Sequence, residues 1–163
     1  MPYLLPLEKN QIQLLQNLAK EIWEEHYLPI IGQNQIDYML AQFYSTKNIE
    51  NEIDAGISWE ILWKENQAIG YLACEMHTTH LALSKIYLKK SARGKNYGKF
   101  MVEHAKSMAK LNQKNSIQLT VNKNNAKSIA FYQAMGFVQI KEAVFDIGNG
   151  YVMDDFIFEL KLN

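Results

Sequence analysis

A strand pattern runs into a helix pattern through the loop of residues 93–99, which reads Arg-Gly-Lys-Asn-Tyr-Gly-Lys. The backbone N–H groups of such a loop, and those of the first helical turn, lack internal partners and carry the positive end of the helix dipole. They are suited to binding a phosphate or pyrophosphate group. Gly94 and Gly98 would let a ligand approach the backbone closely. Glycines are also common in plain turns, so the loop alone leaves both interpretations open.

Charge is distributed unevenly along the 163 residues, although the formal net charge is zero. Residues 1–80 contain 4 Lys and 11 Asp or Glu, a net charge of −7, and residues 81–163 contain 13 Lys or Arg and 6 acids, a net charge of +7. Residues 85–127 contain 11 basic residues and a single acid, Glu103. Such a block is either a solvated surface or a binding site for a polyanion. A nucleic acid and a phosphate-bearing cofactor both fit this pattern.

A second pattern consists of Asn125, then Tyr132 seven residues later, then Gly136 and Phe137. Taken alone, Asn125 could be only a helix cap and Tyr132 only a packed helix tyrosine. Together with the loop, however, the pattern resembles the GNAT superfamily of acetyltransferases, which use acetyl-CoA. The whole chain is similar to the small bacterial subgroup that includes polyamine-acetylating members similar to PaiA.

The loop follows the superfamily pattern with one departure. That pattern is Gln or Arg, two residues, Gly, one residue, then Gly or Ala, between a strand and a helix. Asn96 occupies the first of these glycine positions. Asn tolerates the left-handed backbone conformation better than most residues, so we expect the loop to keep its path. The loop does not match the pattern of nucleoside triphosphate hydrolases, which disfavours ATP or GTP as the ligand.

The resemblance also implies where acetyl-CoA binds. The edge of the strand before the loop would hydrogen-bond the pantetheine arm, and the loop amides would hold the pyrophosphate. Asn125 would touch the pantetheine, and Tyr132 would face the thioester sulfur. The implied cofactor-binding residues are Ile86, Tyr87, Leu88, Arg93, Gly94, Lys95, Asn96, Tyr97, Gly98, Lys99, Asn125 and Tyr132.

The chemistry of amines predicts the mechanism. An alkyl amine similar to lysine has a pKa near 10.4, so only about one molecule in a thousand is nucleophilic near neutral pH. The predicted reaction is direct attack of the neutral amine on the thioester, with Tyr132 protonating the departing thiolate and a strand N–H holding the oxyanion. The predicted base is Glu75, and Asp155, Glu159 or a chain of water molecules are alternatives.

We expect the amine acceptor to enter between the first two helices and the last hairpin, as is usual for this fold. Aromatic walls with acidic neighbours attract a cation through cation–π contact and charge. The alternative is that these aromatic residues are core and the acids are surface. The predicted acceptor-binding residues are Trp23, His26, Tyr27 and Tyr38, with Glu21, Glu24, Glu25 and Asp37 nearby.

These residues must be positioned by a mixed set of helices and strands. The implied α/β (α+β) fold is one domain over residues 1–163, with a mostly antiparallel sheet of about seven strands, about four flanking helices and a splay where acetyl-CoA binds. Period-3.6 patterns predict helices over residues 8–27, 34–44 and 47–55, near 100–111, and from 125 to 136. Strand patterns and turn signals predict strands over residues 57–64, 68–76, 81–88, 117–121, 137–145 and 151–160.

The sequence also gives expectations for the cellular compartment, for the single cysteine and for metal binding. Nothing near Met1 resembles a cleavable signal and no apolar stretch approaches about 20 residues, so we expect a cytoplasmic protein that does not bind a membrane. Cys74 lies in an apolar run and is expected to be buried and inert. His77 and His80 lack a third ligand, so no metal is expected.

Two rivals to a small-amine acetyltransferase remain open. One is a protein N-terminal or lysine acetyltransferase, whose acceptor is a peptide amine. The other is a non-catalytic module that binds CoA or nucleic acid, although nucleic acid is not the expected partner. The oligomeric state, including a homodimer, is also left open.

Overall fold

Five α-helices and seven β-strands follow one another in the computed structural model, which describes residues 1–163. The helices are α1 (Ile12–Ile31), α2 (Gln33–Phe43), α3 (Thr46–Asp54), α4 (Tyr97–Leu111) and α5 (Ala126–Ala134). The strands are β1 (Tyr3–Pro6), β2 (Ser58–Lys64), β3 (Gln67–Met76), β4 (His80–Leu88), β5 (Ser116–Asn122), β6 (Val138–Gly148) and β7 (Tyr151–Lys161). They form one sheet of order β1-β2-β3-β4-β5-β7-β6, in which β4 and β5 are parallel. The predicted mixed fold with a mostly antiparallel seven-stranded sheet is confirmed, with five helices instead of about four.

The chain divides into two compact units. The first contains residues 1–75 and 85–102, and the second contains residues 76–84 and 103–163. Both β4 and α4 contribute residues to each unit. The single domain predicted from the sequence stays a prediction. No helix has the length and apolar character that crossing a bilayer requires.

In the first unit, a tight turn builds the hairpin of β2 and β3. Glu65 and Asn66 both have positive φ, 50° and 61°, as a two-residue hairpin turn requires. The apolar stripe of α1 is buried, as its spacing predicts, and its members are Ile12, Leu15, Leu18, Ala19, Ile22 and Trp23. Cys74 on β3 is buried, as expected, and burial raises the pKa of its thiol to about 12.

The helix boundaries of this unit differ from those predicted. The first helix, predicted over residues 8–27, begins at Ile12 and continues to Ile31, with Pro29 in its last turn. Gly32, at φ 79°, ends α1 and precedes α2, so Asn34, where the second predicted helix begins, is the second residue of α2. Ser45 caps α3, since its Oγ accepts a hydrogen bond from the N–H of Asn48 at 3.2 Å.

In the second unit, the last hairpin and α5 follow their sequence signals. Asn149 and Gly150 have φ of 53° and 78°, and they close the hairpin of β6 and β7. Gly136, at φ 96°, lies just past α5 in the left-handed conformation, at the residue where the predicted helix ends. β7 lies between β5 and β6 and pairs antiparallel with both. The core of the unit includes Ala105, Ala109, Ile117, Leu119, Val121, Phe137 and Phe158.

Candidate active site

The loop between β4 and α4 has the conformation that a phosphate site needs. Gly94 and Asn96 lie in the left-handed region, at φ 74° and 64°, and both are exposed. A Cβ added to Gly94 would meet no atom within 4 Å, so this face of the loop is open. The carbonyl of Asn96 accepts a hydrogen bond from the N–H of Phe100 at 3.1 Å. Asn96 therefore holds the glycine-like conformation expected of it.

The helix begins earlier than its apolar pattern indicates. Tyr97, Gly98 and Lys99, predicted as loop residues, form the first turn of α4. The N–H groups of a first turn have no partner within the helix and carry the positive end of its dipole. The predicted anion-binding groups are thus divided between the loop and the helix start.

Two contacts fix the end of β4 before the loop. The guanidinium of Arg93 turns back and donates to the carbonyl oxygen of Leu88. On the neighbouring strand, a Cβ added to Gly70 would lie 2.5 Å from the carbonyl oxygen of Tyr87 and 2.8 Å from Cδ2 of Leu88. Only glycine permits this approach of β3 to β4, because any Cβ would clash with the backbone.

Two lysines near the loop have partners of their own. Lys89 forms an ion pair with Glu21 of α1 at 3.2 Å. The Nζ of Lys64 on β2 lies 5.7 Å from the centroid of the Tyr97 ring, and a hydrogen bond to Tyr97 raises the pKa of Lys64. Lys64 was not predicted from the sequence, because nothing in the local pattern of β2 relates this residue to a loop more than thirty residues away.

Three of the predicted acceptor residues, Trp23, His26 and Tyr27, belong to an aromatic cluster of the first unit. Trp23 and Tyr27 are 5.0 Å apart between ring centroids, and His26 and Tyr27 are 4.9 Å apart. Trp23 is buried, so it belongs to the core and not to an exposed wall. Tyr38 is half-buried on α2. Four further rings of the cluster were not predicted: Tyr44, Trp59, Tyr71 and Tyr87.

Hydroxyl groups link these rings. Trp23 donates through Nε1 to the hydroxyl of Tyr71 at 3.2 Å, and the hydroxyls of Tyr71 and Tyr44 share a hydrogen bond of 2.8 Å. Tyr27 and Tyr87 share another of 3.2 Å. Burial raises the pKa of Tyr44 and of Tyr71 far above the usual value, so both remain neutral. The network fixes the rings relative to one another.

A lysine reaches into this cluster from β4. The Nζ of Lys85 lies 4.9 Å from the centroid of the Trp59 ring and 5.9 Å from that of Tyr44. Burial lowers the pKa of Lys85, and the charges of Glu52 and Glu75 oppose that effect. Glu75, the predicted base, is half-buried on β3, and its charge favours the ammonium form of the half-buried Lys85.

In the second unit, Asn125 and Tyr132 are both buried, with 3% and 7% exposure. The Oδ1 of Asn125 accepts from the N–H of Ser128 at 3.3 Å, so Asn125 does cap α5. The ring of Tyr132 lies 5.4 Å from that of Phe131 and 5.7 Å from that of Phe137. Asn125 is thus a helix cap and Tyr132 is a packed helix tyrosine, which are the two structural roles that the sequence left open. These contacts fix the positions of both side chains.

The alternative bases on β7 differ in their surroundings. Asp155 is 3% exposed, and burial raises the pKa of its carboxyl to about 6. The charge of Asp154 also raises this pKa, whereas a hydrogen bond from Thr120 lowers it. Glu159 accepts hydrogen bonds from Ser116 at 3.3 Å and from Gln118 at 2.9 Å. The pKa of the Asp155 carboxyl therefore lies closer to neutral pH than the usual value for an aspartate.

The two histidines of the β3–β4 turn stack on each other. The rings of His77 and His80 are 4.7 Å apart and nearly parallel. The structure contains no group of three or more His, Cys, Asp or Glu side chains that could hold a metal ion.

Known acetyltransferases resemble the chain in sequence and in fold. The model of the acetyltransferase (GNAT) family matches residues 14–137. A spermidine N(1)-acetyltransferase of Thermoplasma acidophilum is 25% identical over 136 residues, covering 80% of this chain and 84% of that protein. The peptidyl-lysine N-acetyltransferase YjaB of Salmonella typhimurium is 27% identical over 101 residues, 61% of this chain and 63% of that protein. The crystal structure of PaiA N-acetyltransferase from Thermoplasma acidophilum with coenzyme A has a TM-score of 0.85 at 23% identity, covering 99% of both chains.

Proposed function

Because the chain belongs to the acetyltransferase (GNAT) family, we propose that it transfers the acetyl group of acetyl-CoA to a primary amine, with a small amine such as a polyamine as acceptor. The observation that carries the proposal is the open loop at residues 93–96, with two left-handed residues leading directly into the first turn of α4. The relative named for spermidine acetylation supports the choice of acceptor.

The residues of the first unit fit an acyl carrier with phosphates. The backbone N–H groups of Gly94, Lys95 and the start of α4 would hold the pyrophosphate, since helix N-termini bind anions. A Cβ would find open space at Gly94, so the loop leaves room for a ligand against its backbone. The backbone of Ile86, Tyr87 and Leu88 would hold the pantetheine arm. The contact that the family resemblance implies for Asn125, a residue of the second unit, stays a prediction. The basic residues of the region offset the negative charges of the carrier.

Acetyl-CoA, when bound, supplies the acetyl thioester, and the chain supplies proton transfer. Tyr132 would donate its hydroxyl proton to the sulfur that leaves. Asp155 would accept the proton of the acceptor ammonium, because its pKa of about 6 leaves it ionised yet basic near neutral pH. Glu75, predicted for this role, remains the second candidate. The neutral amine would attack the thioester directly, without an acyl-enzyme, and a strand N–H would stabilise the negative charge that develops on the carbonyl oxygen. When the carbon–sulfur bond breaks, the thiolate would take the Tyr132 proton, and the extra proton on the new amide nitrogen would pass through solvent and restore the Tyr132 hydroxyl.

A peptide amine is the second candidate acceptor. The relative named as a peptidyl-lysine N-acetyltransferase favours it. Both reactions would use the same carrier site and the same proton transfers. They differ only in what lies around the acceptor amine.

A panel of acceptors tests the function. The purified protein is incubated with acetyl-CoA and with spermidine, simple monoamines, lysine peptides or free N-terminal peptides, and the released CoA thiol is measured. Thiol release with polyamines is expected. Release with peptides alone would replace the small-amine proposal by the peptide one. No release with any amine, no effect of acetyl-CoA on the melting temperature and salt-sensitive binding of nucleic acid would overturn both.

A further inference from the structure

The ammonium group of Lys85 lies in a corner formed by two aromatic rings of the first unit. Its Nζ is 4.9 Å from the Trp59 centroid and 5.9 Å from the Tyr44 centroid. Both distances are within the range at which the face of an aromatic ring attracts a cation. The two rings are held at a fixed angle, because their centroids are 5.7 Å apart in an edge-on contact.

Carboxylates complete this corner. Glu52 accepts a hydrogen bond from Nε1 of Trp59 at 2.8 Å, which holds the indole in place from α3. Glu52 and Glu75 both act on Lys85 with charges that favour its ammonium form. Aromatic faces with nearby carboxylates are the surroundings that proteins use to bind ligand ammonium groups. We call Trp59, Tyr44, Glu52 and Glu75 the ammonium corner.

The side chain of Lys85 covers the rings it contacts. Trp59 and Tyr44 are 3% and 2% exposed, whereas Lys85 is only half-buried. The backbone of Lys85 is fixed in β4, but its stem has four flexible carbons, so the ammonium group can leave without movement of the strand. Burial also lowers the pKa of this amine, which shows that its desolvation is only partly offset by the two acids.

We propose that the ammonium corner is a subsite for a cationic group of the acceptor, and that Lys85 occupies this subsite until the acceptor displaces it. The inference rests on the proposed function, since it assigns part of the acceptor site of that reaction. Lys85 is then a specificity-determining residue, because every acceptor with a second ammonium group, beyond the amine that is acetylated, competes with its side chain. A diamine or polyamine, which has a second ammonium group, would be affected, and a monoamine would not.

Calorimetric titration of spermidine and of n-butylamine into the CoA-saturated protein tests the inference. Lys85→Met removes the resident charge and keeps a side chain of similar length, so spermidine is expected to bind about tenfold more tightly. The affinity for n-butylamine should not change. Lys47→Met, on the exposed side of α3, is the matched control and should leave both affinities unaltered. Unchanged or weaker spermidine binding to the Lys85→Met protein would overturn the proposal, as would undetectable spermidine binding to every variant.

Two further variants address folding and charge. Lys85→Arg keeps a cation and should bind spermidine as the wild type does. Lys85→Gln is a second neutral variant, used in place of Lys85→Met should the latter melt at a much lower temperature. Adding Glu52→Gln to the neutral variant removes one carboxylate but keeps the hydrogen-bond acceptor for Trp59, and it should reverse the gain in affinity. A full gain in that double variant would contradict the role of Glu52.

The titration and the thiol-release panel can fail separately. Tighter spermidine binding to Lys85→Met without thiol release from any amine would reject acetylation and keep the subsite. Thiol release with normal turnover, and no effect of Lys85→Met on spermidine affinity, would reject the subsite and keep acetylation.

Discussion

The guanidinium of Arg93 donates two hydrogen bonds to the carbonyl oxygen of Leu88, from Nε at 3.3 Å and from Nη2 at 3.1 Å. They join the end of β4 to the start of the candidate phosphate loop. The side chain of Arg93, one of the implied cofactor-binding residues, therefore fixes the path of the backbone before the loop. Its contribution to carrier binding would be indirect, through the positions of the loop N–H groups.

Replacing Arg93 should weaken the binding of acetyl-CoA more than it slows turnover. Arg93→Ala frees the loop from β4, and a hydrogen bond from a charged group is worth about 1.5–3 kcal/mol, so KM for acetyl-CoA should rise at least about tenfold. Arg93→Lys cannot reproduce the pair of hydrogen bonds from a planar group and should recover little of the loss. Initial rates at varied acetyl-CoA measure both constants. Lys90→Ala, which also removes one positive charge next to the loop, is the control, and a wild-type KM in Arg93→Lys would mean that only the charge matters.

Gly70→Ala should destabilise the protein by about 1–3 kcal/mol, the usual range for overpacking. The added Cβ would lie 2.5 Å from the Tyr87 carbonyl, and backbone cannot move aside as a side chain can. Gly94→Ala is the comparison, because the added Cβ meets open space. This variant should lose only about 1 kcal/mol of stability, the cost of placing alanine in a left-handed backbone conformation. Urea denaturation measures both free energies of unfolding. A larger loss of unfolding free energy in Gly94→Ala than in Gly70→Ala would show that β3 and β4 move apart easily.

Local sequence signals were enough for the features that are local in the structure. The turn at Asn149 and Gly150, the cap at Asn125 and the helix stop at Gly136 all follow from residues within a few positions of one another. The family assignment from the loop and the second motif is also confirmed. These features depend on backbone conformations that only a few residue types adopt.

Features that depend on distant partners were not predicted. The edge strand β1 is four residues long and pairs with β2, from Tyr3 opposite Trp63 to Pro6 opposite Glu60. The hydrogen bond from Trp23 to Tyr71 joins residues 48 positions apart. Periodicity shows that an aromatic residue is buried, but not which ring it meets. The corner around Lys85 was missed for this reason.

Tyr132→Phe should lower kcat with little change in KM for acetyl-CoA. The substitution removes only the hydroxyl, and the ring contacts with Phe131 and Phe137 remain, so the melting temperature should stay close to that of the wild type. Loss of a general acid slows turnover about 100-fold or more. Steady-state kinetics with saturating spermidine measures the effect, and Tyr151→Phe on β7 is the control. Unchanged kcat would exclude Tyr132 as the proton donor.

Asp155→Asn should stabilise the protein at neutral pH. The carboxyl of Asp155 has a pKa of about 6 in the folded protein, above its usual value of 3.8, so the folded state binds more protons between these values. Stability contributed by this group is therefore present at low pH and falls as pH rises from about 4 to about 6. The gain of the variant over the wild type should grow across that window to at most about 3 kcal/mol and stay constant above it. Urea denaturation of both proteins at pH 4, 5, 6 and 7 measures this difference in stability. A stability gain of Asp155→Asn that shrinks with rising pH would contradict the burial of the Asp155 carboxyl.

The same carboxyl should produce the acidic limb of the pH–rate profile. If Asp155 accepts the proton of the acceptor, kcat falls below an apparent pKa near 6, and Asp155→Asn loses both the limb and about 100-fold or more of the rate. Asp154→Asn is the matched neighbour: Asp154 pairs with Lys123 at 2.9 Å and its charge helps to raise the pKa of Asp155. This variant should retain the rate and move the limb to lower pH, a displacement that a purely structural Asp155 would not produce. Glu75→Gln should leave the limb in place, and loss of the limb in Glu75→Gln alone would identify Glu75 as the base.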